Sequence, residues 1–259
     1  MAQNHMLMAA RYELKYIITE ETALRVRDFV QQHLVLDEYG VGKPFLSYPV
    51  HSLYLDSDHW EIYWRTVNGD KNRYKLRLRY YDDRPNSPVF FEIKRRMQDV
   101  ILKERCGVRR DAVQSVLAGQ LPDPSQMFIP DATSTVALQR FVELMSRHNA
   151  KPKLHVAYLR EAYVGNEDAN DYRVTLDRQV ECQFRPDGKI IASMDTPTIC
   201  TKSVVILELK FAERFPNWYR DLVERFDCFQ SGAAKYVEGT TIHLGQDLSA
   251  RDIIRNIVL

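Results

Sequence analysis

A glutamate and a lysine separated by one apolar residue occur in three strand-like segments of the sequence. These triplets are Glu13-Leu14-Lys15, Glu92-Ile93-Lys94 and Glu208-Leu209-Lys210. Because side chains alternate between the two faces of a strand, each glutamate shares a face with its lysine, about 6–7 Å along the strand. If several such strands belong to one sheet, they would line a cavity with cations and a few carboxylates. Such a lining suits a polyanion and its metal counter-ion.

Other strand-like segments add cations to the same kind of face, namely Arg77, Arg79, Lys103 and Arg173. Arginine binds phosphate as a planar fork and lysine as a point charge, so a polyphosphate would use both. Charged strand faces are nevertheless commonly exposed to water, with the apolar faces forming the core. The alternation alone favours that simpler arrangement over a charged interior.

The segment Val204–Phe211 favours a charged interior. It is apolar on both faces except for Glu208 and Lys210, which is typical of a strand that is buried on both sides. A buried glutamate and lysine are costly unless they are paired or bind a ligand. The residues leave a structural ion pair and a metal or phosphate site equally open.

Composition restricts the class of protein. The 259 residues carry a net charge of only +1, but residues 71–110 hold thirteen lysines and arginines against five acidic residues. The four cysteines have no metal-ligand spacing, which indicates thiols in a reducing compartment. Neither a signal peptide nor an apolar run of about 20 residues is present, so we expect a cytoplasmic protein.

The predicted elements indicate an α+β fold of eight or nine strands with helices inserted between them. Among them are a strand at 11–18, a helix at 20–34 capped by Thr19, and strands at 89–96 and 100–108. A turn at Pro186-Asp187-Gly188 predicts a hairpin between 179–184 and 189–193. Near the end of the chain we expect helices at about 216–227, near 232–238 and after Ser249. No linker separates domains, which predicts a single domain over residues 1–259.

In their order, nine segments of the chain resemble the VTC domain, the polyphosphate polymerase domain of the triphosphate tunnel metalloenzyme superfamily. The segments, from about residue 11 to 240, are RYELKY, YLDSDHWEIYW, KLRLRYY, VFFEIKRR, ILKERCGV, AYLREAY, YRVTLD, VVILELKF and AAKYVEG. The resemblance implies an antiparallel β-barrel that forms a tunnel, with helices packed on the outside.

Position by position, the resemblance also implies the site. The implied catalytic residues are Lys15, Arg77, Arg79, Lys94, Tyr158 and Glu208. The implied phosphate-binding residues are Lys15, Arg77, Arg79, Lys94, Lys103, Arg160, Arg173 and Lys235. Glu208 matches the family's metal-binding glutamate, and the metal is expected to be Mn²⁺ or Mg²⁺. Glu13, Glu92 and Lys210 are plausible neighbours by geometry.

The implied activity is transfer of the γ-phosphate of ATP onto a polyphosphate chain. The alternatives are a tripolyphosphatase or nucleoside triphosphatase of the same fold, and a non-catalytic polyphosphate-binding module. One departure bears on this choice, since Gly232 and Ala234 stand where the family often has a lysine and a serine before the lysine at 235. The expected partners are ATP and polyphosphate, with no nucleic acid, no membrane segment of its own and a membrane-protein partner left open.

Overall fold

One large antiparallel sheet, with helices between its strands, is the framework of the computed structural model. The model describes residues 12–98, 100–167, 170–201, 203–212 and 214–245. Its strands are β1 (Tyr12–Thr19), β2 (Val35–Leu36), β3 (Ser47–Asp56), β4 (Asn72–Tyr80), β5 (Val89–Met97), β6 (Val100–Val108), β7 (Lys151–Glu167), β8 (Asn170–Phe184), β9 (Thr198–Ile199) and β10 (Val204–Phe211). The α-helices within these residues are α1 (Glu20–Val30), α2 (Glu61–Val67), α3 (Val113–Leu117), α4 (Ala132–Arg147), α5 (Asn217–Arg225) and α6 (Lys235–His243).

The main path of the sheet runs β1-β10-β8-β7-β3-β4-β5-β6, with β2 on β7 and β9 on β8. The predicted closed barrel is wrong, since no backbone pairing joins β1 to β6 in the described part of the chain. Each of these two edges is covered by a loop segment instead. Tyr16 of β1 pairs with Gln230, and Val108 of β6 pairs with Met127. Part of each edge is therefore paired without closure of the sheet.

The sheet is nevertheless strongly curled. Six strand spacings separate β1 from β5, which would be about 29 Å in a flat sheet. Yet Lys94 Nζ on β5 lies 2.9 Å from a carboxylate oxygen of Glu13 on β1. The curl brings the charged faces of the strands towards one another and leaves their apolar faces on the outside.

The helices cover those apolar outer faces, as the sequence predicts. Leu76 of β4 and Phe91 of β5 are buried in one cluster with Phe141 of α4. At the other end of the sheet, Leu207 of β10 is buried in a second cluster with Val26 of α1. Burial of these side chains is the main stabilisation that the layered arrangement offers. None of the described helices is long and apolar enough to cross a membrane.

Two helix starts show how the sequence fixes local structure. Thr19 is the N-cap of α1, where its hydroxyl accepts the backbone N–H of Thr22 at 3.1 Å. Asp56 caps α2 from further back in the sequence. Its carboxylate accepts the N–H groups of Ile62 and Tyr63 inside the first turn of α2. Helix α1 ends at Val30, four residues before the predicted end.

The predicted hairpin around Pro186-Asp187-Gly188 is wrong in its second strand, because residues 189–193 form no strand. Side chains bind the backbone of this segment instead. Arg110 donates to the carbonyl of Ile190 at 2.7 Å, and Arg185 donates to those of Ile191 and Ser193 at 3.1 and 2.8 Å. With its carbonyls already paired, the segment has little to gain from a strand ladder. The partner of β8 there is β9.

Helix α6 packs so closely on the sheet that replacing Gly239 with alanine should destabilise the protein. A Cβ at Gly239 would lie 2.8 Å from Leu154 Cδ2 and 3.1 Å from Cys182 Cβ. Alanine normally stabilises a helix interior by about 1 kcal/mol relative to glycine. Overpacking costs about 1–3 kcal/mol, so we expect the free energy of unfolding to fall by up to about 2 kcal/mol in urea denaturation.

The control for Gly239→Ala is Gln139→Ala, at an exposed position of α4. It should change the free energy of unfolding by no more than about 0.5 kcal/mol. A Gly239→Ala protein that is more stable than the wild type would show that α6 can move away from β7 and β8.

Candidate functional site

The curled sheet encloses a cavity of about 1360 Å³, here called the basic cavity. Two glutamates line it, Glu13 and Glu208. The lysines and arginines that line it are thirteen: Lys15, Arg73, Lys75, Arg77, Arg79, Lys94, Arg96, Lys103, Arg105, Arg160, Arg173, Lys210 and Lys235. Low-dielectric walls strengthen the field of such a one-signed lining and attract anions.

Every candidate residue that the sequence predicts lies on the wall of this one cavity. The residues are Lys15, Arg77, Arg79, Lys94, Lys103, Tyr158, Arg160, Arg173, Glu208 and Lys235. They come from β1, β4, β5, β6, β7, β8, β10 and α6, so only the curl of the sheet can bring them together. Their individual roles in binding or catalysis stay predictions.

Cross-strand register arranges the cations in rows. Lys75 on β4 is opposite Lys94 on β5, which is opposite Lys103 on β6. One step along the strands, Arg77 is opposite Glu92, the carboxylate of β5. Directly opposed side chains on neighbouring strands lie about 4.5–5.5 Å apart at Cβ, and like charges so placed destabilise the sheet. An arrangement that keeps this repulsion indicates a binding surface for anions.

Glu208 is the carboxylate around which the cations of β1, β7, β10 and α6 gather. Its oxygens lie 2.6 Å from Lys210 Nζ, 3.1 Å from Lys235 Nζ, 3.2 Å from Arg160 Nη2 and 3.4 Å from Lys15 Nζ. Burial opposes ionisation of Glu208, but these four cations outweigh it and hold its pKa well below the usual range. Glu208 is therefore ionised at neutral pH.

Asp177 of β8 orients two of these cations from behind the wall. Both its oxygens accept from Arg160, each at 2.7 Å, and one lies 2.6 Å from Lys235 Nζ. Burial opposes ionisation of Asp177 as well, but Arg160 and Lys235 lower its pKa. Asp177 is buried and does not line the cavity, so its place is that of a positioning residue.

Glu92 has the same relation to the cations of β4 and β6. Its oxygens lie 2.7 Å from Arg77 Nη2, 3.7 Å from Arg79 Nε, 2.8 Å from Lys103 Nζ and 3.5 Å from Arg105 Nε. The side chain is fully buried, and despite that burial Arg77, Arg79 and Lys103 hold its pKa well below the usual range. Glu92 therefore holds one wall of cations in place but, being fully buried, does not itself line the cavity.

Tyr158 lies where the two groups of cations meet. Its ring centroid is 4.8 Å from Lys235 Nζ and 5.2 Å from the guanidinium carbon of Arg160. Its hydroxyl accepts from Arg79 at 3.5 Å, a long hydrogen bond. The ring thus lies against cations while the hydroxyl faces the opposite wall, which places Tyr158 beside any phosphate held between them.

Arg173 is held differently from the others. Its Nη2 donates to Asp37 at 2.7 Å and to the hydroxyl of Tyr48 at 3.1 Å. At 34% exposure its side chain is more open than that of Arg160. Arg173 therefore occupies a more open part of the cavity, where an anion would compete with Asp37.

Sequence reasoning missed several cations of the cavity, chiefly Lys75 and Arg105. The signal for Lys75 is present, because alternation along β4 puts it on the same face as Arg77 and Arg79. Arg105 alternates with Lys103 in the same way on β6. The sequence of a strand does not show which of its cations will have a carboxylate partner, because that partner comes from another strand. Glu92 of β5 contacts Arg105 of β6, and Glu13 of β1 contacts Lys94 of β5.

The carboxylates fit a metal ion only in company with phosphate. The described residues contain no group of three or more histidine, cysteine, aspartate or glutamate side chains that could hold an ion alone. Mg²⁺ is commonly bound through one or two carboxylates together with substrate phosphates. Glu208, which lines the cavity, supplies the one carboxylate that this mode needs.

The affinity of the cavity for tripolyphosphate should fall as the pH rises above about 7. Burial, with Arg79 and Arg77 nearby, lowers the pKa of Lys103 to about 7 in spite of its contact with Glu92. Below that pH the free protein already carries the charge that the anion favours. Above it, binding has to take up a proton, which weakens affinity. Calorimetry in buffers of different ionisation enthalpy counts the protons taken up.

The matched variant is Lys103→Arg, which stays charged throughout this range. It should bind tripolyphosphate with less proton uptake at pH 8 than the wild type, since the protonation of the ligand is common to both proteins. Equal proton uptake by the two proteins would mean that Lys103 is already protonated when the cavity is empty.

Comparison with known proteins gives a match to a family model and similarities to solved structures. A family model described as VTC domain matches residues 10–243, from β1 to α6, whereas no curated protein matches the chain. A candidate adenylate cyclase from Bacillus halodurans is similar at 11% identity and a TM-score of 0.48, over 87% of this chain and 94% of that one. A chain of the Schizosaccharomyces pombe Mediator head module is similar at 7% identity and a TM-score of 0.41, over 84% and 91%.

Proposed function

The chain belongs to the VTC domain family, and we propose that it is a metal-dependent polyphosphate polymerase that transfers the γ-phosphoryl group of ATP onto a polyphosphate chain. One observation carries the proposal. The ten residues expected from the sequence lie on one cavity wall, among thirteen cations and two glutamates. A linear polyanion with closely spaced charges is the ligand that such a wall matches best.

Positioning and charge stabilisation account for most of the proposed reaction. Phosphoryl transfer spreads negative charge over the equatorial oxygens of the transferred group, and preorganised cations stabilise that charge. Arg77 and Arg79 on one wall face Lys235 and Arg160 across Tyr158. The attacking phosphate oxygen is already anionic, so no general base is needed.

A divalent ion, Mn²⁺ or Mg²⁺, would be held by Glu208 together with phosphate oxygens. When bound, it supplies Lewis-acid polarisation and charge neutralisation at the phosphates. Lys15, Lys210 and Lys235 surround the carboxylate and fix its position.

A hydrolase of the same fold is the first alternative, with water as acceptor in place of polyphosphate. Hydrolases of this superfamily typically carry a denser set of glutamates on the first strand. Here Glu13 is preceded by Arg11, which favours a polymerase. Arg11 lies outside the described residues.

A binding module without turnover is the second alternative, and the loop before α6 favours it. Gly232 and Ala234 line the basic cavity without offering a polar side chain. A Cβ at Gly232 would meet no atom within 4 Å, so a longer side chain would have room there. The phosphate held at this part of the wall therefore has fewer contacts than the family pattern provides.

Phosphorus NMR of the purified protein with ATP and Mn²⁺, before and after addition of short-chain polyphosphate, tests the proposal. Growth of the internal-phosphate signal with release of ADP is the expected result. Release of orthophosphate without chain growth would make the protein a hydrolase. Binding of polyphosphate without any turnover would make it a binding module.

For its setting, we propose a cytoplasmic protein whose partners are ATP and polyphosphate, acting as one domain over residues 1–259. Nucleic acid is not expected as a ligand, because the cations line an interior wall rather than an exposed stacking surface.

A further inference from the structure

The lysines of the basic cavity divide by whether a carboxylate lies against the amine. Five have such a partner: Lys15, Lys210 and Lys235 at Glu208, Lys94 at Glu13, and Lys103 at Glu92. For Lys75 the described residues offer no carboxylate oxygen within 4.0 Å. Its amine lies instead 6.0 Å from the ring centroid of Tyr236.

The surroundings of Lys75 are cationic on every side that carries charge. Arg73 and Arg77 share its face of β4, and Lys94 is directly opposite on β5. Lys15 of β1 acts on it from across the cavity. Glu238 of α6 interacts electrostatically with Lys75, and burial raises the pKa of Glu238.

These neighbours determine which form of the amine is present. Burial comes first, followed by Lys15, Lys94, Arg73 and Arg77, and together they hold the pKa of Lys75 well below its ordinary value. An exposed lysine is protonated at neutral pH and carries almost no free lone pair. Lys75 thus combines an amine whose protonation is disfavoured with a cavity that concentrates anions.

We propose that Lys75 is a nucleophilic site that forms an imine with small phosphorylated aldehydes entering the basic cavity. Its Nζ attacks the carbonyl carbon, a C–N bond forms, and a proton passes from nitrogen to the former carbonyl oxygen. Loss of water from this carbinolamine then gives the imine. Arg77 and Lys94 are placed to hold the phosphate of the aldehyde. The adduct occupies the cavity and so competes with a polyanion.

The proposal rests on the anion-binding cavity of the proposed function but not on phosphoryl transfer. Labelling needs neither nucleotide nor metal. A chain that labels at Lys75 and does not elongate polyphosphate would overturn the proposed function alone.

The test is brief exposure of the full chain to pyridoxal 5′-phosphate, reduction of the imine with borohydride, and peptide mass spectrometry. We expect Lys75 to label at least about tenfold faster than the exposed Lys43, because its amine has no carboxylate partner and the cations around it both disfavour its protonation and concentrate the phosphorylated aldehyde. Excess tripolyphosphate should suppress labelling of Lys75 and leave Lys43 unchanged. Pyridoxal, which lacks the phosphate, should label Lys75 about tenfold more slowly, since the cations then give no local concentration.

Two variants assign the label, with circular dichroism to confirm that each is folded. Lys75→Arg keeps the positive charge and should abolish the fast labelling. Lys189→Arg, at an exposed lysine outside the cavity lining, should leave the fast labelling of Lys75 intact. Labelling of Lys75 at the rate of Lys43 would overturn the proposal.

Discussion

Replacing Glu208 with glutamine should lower the rate of chain elongation about 100- to 1000-fold, while leaving the affinity for tripolyphosphate in the absence of metal unchanged or higher. The reasoning follows from the contacts of Glu208. It is one of only two carboxylates on the cavity wall, so removing its charge makes the described lining more attractive to a polyanion. Turnover suffers because the carboxylate that would hold the ion on the phosphates is gone.

The two quantities are measured separately, elongation by phosphorus NMR and affinity by calorimetry. The control is Glu143→Gln on the exposed face of α4, where the glutamate contacts only Arg147, and it should change neither quantity. Elongation at the wild-type rate by Glu208→Gln would remove Glu208 from the reaction. A folded variant that loses affinity as well would show that Glu208 chiefly orders Lys210, Lys235 and Arg160.

Much of the strand pattern could be predicted from the sequence, and two strands show why. β6 (Val100–Val108) and β10 (Val204–Phe211) have the predicted bounds. In both strands, the amino-acid composition changes where the strand ends. The order of polar and apolar residues also assigns which side chains share a face, because that depends only on the period of a strand.

Which face points inward could not be predicted from that alternation, because the same pattern fits either choice. What decides it is the curl that brings Glu13 to Lys94, a contact between residues 81 positions apart. Curl depends on how helices such as α4 and α1 pack on the outer face, and this is a long-range property. The prediction that the charged faces point inward came from the family resemblance and not from the periodicity.

Helix α6 illustrates a local failure with a physical cause. A helix near 232–238 is predicted, but α6 begins at Lys235. Residues before it are engaged in covering β1, since Ser231 donates its N–H to the carbonyl of Lys15 at 2.8 Å and Gln230 pairs with Tyr16. The free edge of an open sheet competes with the helix for the same backbone, and no local propensity shows that competition.

Replacing Glu92 with glutamine should reduce the free energy of unfolding by about 3–5 kcal/mol in the absence of ligand, because a buried charge cluster loses its counter-ion. Four cations contact this fully buried carboxylate from β4 and β6. Tripolyphosphate can return negative charge to these cations, because all four, Arg77, Arg79, Lys103 and Arg105, also line the cavity. We therefore expect the ligand to raise the melting temperature of the variant more than that of the wild type.

Acidification tests whether the negative charge of Glu92 is the cause of this stability difference. The pKa of Glu92 lies well below its ordinary value of 4.5 in the folded protein, so its contribution to stability is present above about pH 4.5 and is lost as the pH falls through the folded pKa. Glutamine does not titrate, and the difference between wild type and variant should narrow in that acidic range. Urea denaturation at a series of pH values measures it.

The control for Glu92→Gln is Glu104→Gln on the neighbouring strand β6, where the glutamate contacts the half-exposed Arg140. A pair of that kind contributes no more than about 1 kcal/mol, so stability and its pH dependence should hardly change. If Glu92→Gln were as stable as the wild type, water in the cavity would be solvating Arg77 and Lys103 well enough to replace the carboxylate. The cations would then be less strongly focused on an incoming phosphate, and catalysis would depend more on Glu208 and its ion.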